Sequence, residues 1–434
     1  MPIIIKGIIV TSSPNKKLVI YNPGFMVVDD QGNIQEIASE DLRARYSTHT
    51  FLDHSKHLLI PGLIDLHNHL PQFAYAGLGE GQLLDWLNKY TFSREQEFSD
   101  PVIAQVAANQ FFSSLVSVGT TTTVTYITVH EQATDIAFAA AEQVGIRAIM
   151  GKVMMDQNSP EKLQEKTAES LASSERLIKK WHKKNNKLFY AVTPRFAITC
   201  SGELLKKSAE LAKKYDTYVQ THLAENQDEL VAVKEIFPLS KNYTDVYQQA
   251  GLLGAKTIMA HGIYLNEEEK MVLRETQTNI AHCPTSNRFL ASGIMPARHY
   301  IDTHMRMGLG SDVAGGYSLS ILHELRESLE NSKLLSVLDD THPEPLTLEE
   351  GFYLATLGSA TALGLESTIG SLEAGKAADF VILDPQIPDP WIFQNSYIQP
   401  RALLTKCIYA TLGNPVIATY IQGRKSNPSI KTPL

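Results

Sequence analysis

Two histidines one residue apart close an apolar run in Pro61-Gly62-Leu63-Ile64-Asp65-Leu66-His67-Asn68-His69. In a β-strand, side chains at i and i+2 point to the same side, so His67 and His69 can reach one metal ion. A single His-x-His more often packs or faces solvent than binds metal, and most of the 14 histidines are expected to do so. Three further segments repeat the layout of an apolar strand that stops at a metal-competent or acid/base side chain. They are Tyr218-Val219-Gln220-Thr221-His222, Thr257-Ile258-Met259-Ala260-His261 and Met307-Gly308-Leu309-Gly310-Ser311-Asp312. Four such strand ends are a poor fit to chance.

His67, His69, His222 and Asp312 together offer three neutral nitrogens and a hard oxygen without thiolate, a donor set for catalytic Zn²⁺ or Fe²⁺ with one position left open. Such an ion brings the pKa of bound water down to about 7, which makes a nucleophile at neutral pH. Glu225, three residues beyond His222, can reach the same cavity and protonate a ring nitrogen while Asp312 accepts a proton from the water. Taken alone, Glu225 reads as a helix first-turn acid facing the helix dipole; beside His222 the catalytic reading is preferred.

These residues need elements that bring them together. From Pro61 onward, apolar strands alternate with helical segments, the pattern of parallel βαβ units. Candidate strands are 62–67, 120–126, 146–153, 188–195, 217–222, 257–261, 278–282 and 306–311. Eight is the number of an α/β barrel, whose functional residues lie at the C-terminal strand ends. The clearest intervening helix is predicted over Ser159 to Lys183, with Leu163, Thr167, Leu171, Ser174, Ile178 and Trp181 on its packed face and His182 on its solvated one.

Residues 1–60 read instead as short strands, Ile3 to Val10, Gly24 to Asp29 and Gly32 to Glu36, with turn chemistry at Asp30-Gln31-Gly32. The text turns β-like again beyond Gly370. The expected fold is therefore a (β/α)8 TIM-like barrel over 61–367 with a small β-sandwich built from both termini, 1–60 and 368–434. Pro385 to Pro390 reads as a surface loop.

With 39 Lys plus Arg against 47 Asp plus Glu, the net charge of −8 gives no general attraction for nucleic acid. Three cysteines without a Cys-x-x-Cys pair argue for a reducing compartment rather than a disulfide framework. No apolar run of about 18 residues suggests a membrane span, and the N-terminus lacks the features of a secretory signal. The expectation is a cytoplasmic protein with a small ligand.

The metal motifs, together with Gly370-Ser371-Leu372-Glu373-Ala374-Gly375-Lys376-Ala377-Ala378-Asp379-Phe380, resemble the amidohydrolase superfamily over essentially the whole chain. Leu84-Asp85-Trp86-Leu87-Asn88-Lys89-Tyr90-Thr91-Phe92, Thr193-Pro194-Arg195-Phe196, Ala281-His282-Cys283-Pro284 and Ser311-Asp312-Val313-Ala314-Gly315-Gly316-Tyr317 resemble more narrowly the guanine deaminase family. The resemblance implies hydrolytic deamination of guanine to xanthine by a homodimer holding one Zn²⁺ per chain, with Fe²⁺ as the alternative. It also implies that Gln72 and Arg195 contact the purine, that Phe196 lines its face, and that His261 contacts substrate or attacking water. His69, His222, Glu225 and Asp312 would border the same substrate.

Chemistry agrees, because a guanidinium donates to a carbonyl oxygen and an aromatic ring stacks on a base. Without the resemblance, Arg195 reads more readily as a salt-bridge residue, Phe196 as core and Gln72 as a loop polar group. Two-metal relatives use a modified lysine at the end of strand 4, where this chain has Pro194-Arg195; Lys152 near strand 3 and His130 receive no role. Two other readings stand beside the first. One is a deaminase or chlorohydrolase of another N-heterocycle such as 8-oxoguanine, cytosine or a triazine, and the other is a barrel scaffold without catalysis. A polynucleotide deaminase is excluded, since His-x-Glu with Pro-Cys-x-x-Cys does not occur.

Overall fold

The alternating segments beyond Pro61 close into an eight-position parallel barrel in the computed structural model, which describes residues 2–385, 399–410 and 413–426. Its strands are Leu63–His69, Thr120–Tyr126, Arg147–Gly151, Leu188–Pro194, Tyr218–Leu223, Thr257–His261, Asn279–His282 and Met307–Leu309, with the short Val153–Met154 paired beside the fourth. Each falls on a predicted strand. Between the eighth and first strands the join is made by backbone: Asp312 N donates to His67 O at 2.8 Å and His69 N to Val313 O at 3.0 Å. Gly310 is required at this join, because a Cβ there would stand 2.8 Å from the His67 Cβ.

Ile64, Leu66, Val124, Ile149, Ala191, Ile258 and Ala281 come from six strands and pack as one apolar cluster. Ala360 and Leu363 join them from the segment around helix Leu357–Ala362. Tyr218, the first residue of its strand, donates its hydroxyl to Leu363 O at 2.8 Å, so this plug seals the N-terminal end of the barrel. The opposite end is left for chemistry.

A bulge resolves how one strand serves both ends. The register of the first strand against the second shifts between Asp65 and Asn68, which inserts an extra residue. The shift lets the inward set pass from Ile64 and Leu66, of one parity, to His67 and His69, of the other.

Both chain ends build a single seven-stranded mixed sheet. Its order is Arg424–Lys425, Val416–Ile421, Phe380–Leu383, Thr50–Pro61, Ile3–Ser12, Leu18–Val28 and Ile34–Ala38. The central strand Thr50–Pro61 escaped the sequence reading because Asp53-His54-Ser55-Lys56-His57 interrupts its apolar alternation. That polar stretch lies where the pairing with the first strand shifts register, between Lys6 and Ile8. The predicted turn at Asp30-Gln31-Gly32 is present, with Gly32 at φ 82°. Of the predicted Pro385–Pro390 loop, all but Pro385 lies outside the described residues.

Two details of the predicted helix are corrected. It spans Thr167–Trp181, preceded by a separate 3-10 turn at Glu161–Leu163 that carries the buried Leu163. His182 is half-buried rather than solvated, and its Nδ1 accepts the Tyr190 N–H at 3.1 Å at the start of the fourth strand. Trp181 is packing as expected, stacked on Phe138 at 5.3 Å between ring centroids.

Burial first, then the nearby Lys183 charge, brings the His182 pKa down to about 4. The unfolded chain takes up this proton below about pH 6.5 while the folded chain remains neutral, so stability is full above that pH and is lost as pH falls towards 4. The thermal midpoint should therefore drop between pH 7 and pH 5, and His182→Asn, which keeps an acceptor without the base, should shrink the drop. An unchanged pH profile in His182→Asn would assign the loss to other groups.

Candidate functional site

The bulge and the strand 8 to strand 1 join place three of the predicted residues, His67, His69 and Asp312, at the open end of the barrel. Asp65 braces the join, because its Oδ1 accepts the N–H groups of His67 at 3.1 Å and Ser311 at 3.0 Å. Its Oδ2 accepts from Ser311 Oγ at 2.6 Å and Asn68 Nδ2 at 2.8 Å. Asp312 then turns inward at φ 44°, a left-handed conformation that non-glycine residues rarely hold outside functional sites. Its Oδ1 lies 3.1 Å from His67 Nε2 and 3.3 Å from His69 Nε2.

His222 and His261 arrive from the fifth and sixth strands. His222 Nδ1 stands 2.7 Å from Arg195 O, a carbonyl that can only accept, so Nδ1 carries the hydrogen and Nε2 presents a lone pair 3.2 Å from His69 Nε2. His261, at φ 75°, sets Nδ1 2.8 Å from Asn287 Oδ1. Its Nε2 faces Glu225 Oε2 at 3.3 Å and Asp312 Oδ2 at 3.8 Å.

The ligand atoms of His67, His69 and His222 lie within 4.8 Å of one another, as do those of His67, His261 and Asp312. Nε2 of both His67 and His261 is buried and faces the carboxylate oxygens of Asp312 and Glu225 without a well-aligned hydrogen bond. Burial lowers the pKa of His67, His69 and His222, to about 4 at His69, which keeps these imidazoles neutral as metal ligation requires. Burial alone would raise the Asp312 pKa, but His67 and His69 outweigh it and hold the carboxyl well below its usual range. Neutral nitrogens around an ionised carboxylate fit a divalent ion. The chain carries a His/Asp metal-binding group.

Glu225 takes the opposite state. Burial, then the charges of Asp312 and Glu229, push its carboxyl well above the usual range, so the two neighbouring acids are moved in opposite directions. Glu225 is not a first-turn helix acid. The helix begins at Gln227 behind the Asn226 cap, and Glu229 reaches back to accept the Glu225 N–H at 2.8 Å.

Beside this centre lies a narrow cavity lined by His69, Gln72, Arg195, Phe196, His222, Glu225 and Asp312, with Leu83, Trp86, Leu87 and Leu290 as its apolar wall. Every residue expected at the site is thus in or beside one pocket. Arg195 forms the salt bridge of its plainer reading, donating from Nη1 to Glu95 Oε2 at 2.6 Å, and it also lines the cavity. Lys152 stays outside, buried, with Nζ bonded to Glu165 and to Ser170 Oγ. His130 precedes the helix Glu131–Val144 without a side-chain capping bond and does not line the pocket.

A sequence profile of the amidohydrolase family matches residues 58–425. The chain belongs to the amidohydrolase family. Within known amidohydrolases and their relatives it is similar to guanine deaminase of Escherichia coli (strain K12), 39% identical over 376 residues, 86% of this chain and 83% of the relative. Guanine deaminase of Rattus norvegicus is 36% identical over 443 residues, covering 99% and 97% of the two chains. The structure of guanine deaminase from C. acetobutylicum with bound guanine in the active site superposes with a TM-score of 0.92 at 32% identity, covering 98% of this chain and 100% of that one.

Several residues that hold the site residues of this amidohydrolase from behind the cavity have no signal in the sequence. Ser286 Oγ donates to Asp312 Oδ2 at 2.6 Å, Asn287 orients His261, and Glu95 bridges Gln72 and Arg195. Serine, asparagine and glutamate at these places follow no spacing rule. The apolar wall had a partial signal, because Trp86 and Leu87 lie inside the Leu84–Phe92 segment that carried the family resemblance.

Proposed function

We propose that this chain is a zinc-dependent guanine deaminase that hydrolyses the C2–amine bond of guanine, giving xanthine and ammonia. The observation that carries the reading is the pairing of a complete metal-ligand set with Arg195, Gln72 and Phe196 in one cavity, in a chain similar to guanine deaminases over nearly its full length. His67, His69, His222 and Asp312 would hold the ion. A divalent ion there supplies a Lewis acid that makes water a nucleophile at neutral pH.

The remaining work falls to side chains. Arg195 donates to the C6 oxygen, Gln72 donates to the ring edge, and Phe196 packs on the purine face. Glu225 holds its proton at the carboxyl beside His261 and delivers it to the ring nitrogen next to C2. Asp312 accepts the proton of the attacking water at Oδ2, where Ser286 already donates, and gives it to the amine. The amine leaves as ammonia when the C2–N bond breaks, while the new C2 hydroxyl returns its proton to Glu225 as the carbonyl forms. His261 orients the water, with Asn287 fixing its ring.

The same reading includes work in the cytoplasm as a homodimer, with residues 1–60 and 368–434 forming one domain around a barrel of 61–367. Among the described residues no helix is long and apolar enough to cross a membrane. Leu78, Val102, Ile103 and Val106 expose apolar surface around one groove, which supports self-association; sedimentation velocity measures it.

Purified protein should contain about one zinc or iron per chain, because three imidazoles and a carboxylate make one site. Chelation should stop ammonia release from guanine, and added Zn²⁺ should restore it. Full activity in a metal-free preparation would remove the reading.

A further inference from the structure

Glu95 is a carboxylate only 1% exposed, and it does not line the cavity. Burying a carboxylate is costly unless both oxygens find donors. Here Oε1 accepts from Gln72 Nε2 at 3.0 Å and Oε2 from Arg195 Nη1 at 2.6 Å. The two groups it holds are the two polar side chains proposed to read the purine.

Each contact removes a freedom that would blur recognition. An amide has a donor end and an acceptor end, and facing a carboxylate forces the donor end of Gln72 towards Glu95 while its Oε1 meets the Ala314 N–H at 3.4 Å. The second Nε2 hydrogen is then the one left for a ligand. Arg195 is held along one edge by Glu95 and rests over the Phe92 ring at 5.4 Å. Phe92 and Glu95 lie on the same short helix, Phe92–Glu95, so a single element clamps the guanidinium by stacking and by charge. Its remaining N–H groups are available to the cavity.

We propose that Glu95 is the positioning residue of the base-recognition pair. By fixing the Gln72 amide and aiming the Arg195 fork, it makes the site selective for purines that carry an oxygen at C6. This inference rests on the guanine reading above.

The test compares guanine with 2-aminopurine, which has the same amine at C2 and no oxygen at C6, in the wild-type holoenzyme and in Glu95→Gln. A glutamine is nearly isosteric but offers one acceptor oxygen where two donors wait, so either Gln72 turns over or Arg195 loses its partner. KM for guanine should rise about tenfold to a hundredfold, the effect of one unpaired buried charged hydrogen bond, with a smaller change in kcat. The constants for 2-aminopurine should move less, since it keeps only the contact with Gln72 and has no oxygen for Arg195, so the guanine preference narrows.

Metal content of about one ion per chain and an unchanged circular dichroism spectrum separate positioning from a fold defect. Glu95→Asp keeps charge and both acceptors, and should recover part of the preference; it also serves as the test if Glu95→Gln does not fold. An unchanged preference in a folded variant overturns the inference, as does a parallel fall on both substrates. A wild-type protein that turns over neither purine would instead remove the guanine reading itself.

Discussion

Replacing Glu225 by Gln should lower kcat for guanine deamination by about 10²- to 10⁴-fold, the usual contribution of a general acid or base. The physical basis is the separation of two neighbouring carboxyls. Glu225 is buried beside Asp312 and Glu229, which favours its protonated form, whereas the imidazoles around Asp312 favour its ionised form. A glutamine preserves volume and hydrogen-bonding shape but has no acidic proton to deliver. The variant should fold, keep its metal and bind guanine, so the loss should appear in kcat at nearly constant KM. Asp312→Asn should cost more, because it removes a proton acceptor and a metal ligand together, and metal analysis should find a depleted site. A Glu225→Gln enzyme with near-normal kcat would take the proton-transfer role away from Glu225.

The second large effect concerns substrate choice. Guanine presents an oxygen at C6 to Arg195, whereas adenine presents an amine, and a buried donor facing a donor is left unpaired at a cost of about 1–3 kcal/mol or more for a charged group. Guanine should therefore be turned over at least about tenfold to a hundredfold faster than adenine or cytosine in kcat/KM. The contact with Glu95 dictates how the role of Arg195 is tested. Arg195→Ala alone would leave a buried carboxylate without its ion partner, which itself destabilises by about 3–5 kcal/mol. The double variant Arg195→Ala with Glu95→Gln removes both charges, and its comparison with Glu95→Gln alone isolates what Arg195 contributes. It should lower kcat/KM for guanine and narrow the gap to adenine. Equal wild-type rates on the two bases would leave a metal-dependent deaminase of an unspecified heterocycle.

Legibility followed the range of the interactions. Four of the eight barrel strands were readable as apolar runs ending in His or Asp, a local pattern, and the others from their alternation with helical segments. The strand Thr50–Pro61 was not, since the pattern in its middle is polar and its place is set by neighbours on both sides from opposite ends of the chain. His182 was assigned to solvent from helical phase alone, yet the helix stops one residue earlier and leaves its ring free to accept the Tyr190 N–H.

What the sequence determined by itself is the chemistry available: which side chains can bind metal, which can carry a proton, and that parallel strands deliver them to one end. His67, His69, His222, His261 and Asp312 are legible because barrel topology converts strand ends into neighbours whatever their separation along the chain. Tertiary structure alone decided their states and their aim. The bulge between Asp65 and Asn68 turns the His-x-His pair into the barrel, and Asp65 ties it to Ser311 from 246 residues away. Burial and mutual charge move the Glu225 and Asp312 carboxyls in opposite directions, and Glu95, 100 residues from Arg195, bonds both it and Gln72 at the cavity. Such contacts depend on desolvation and on distances of a few ångströms between remote segments, quantities that local pattern does not encode.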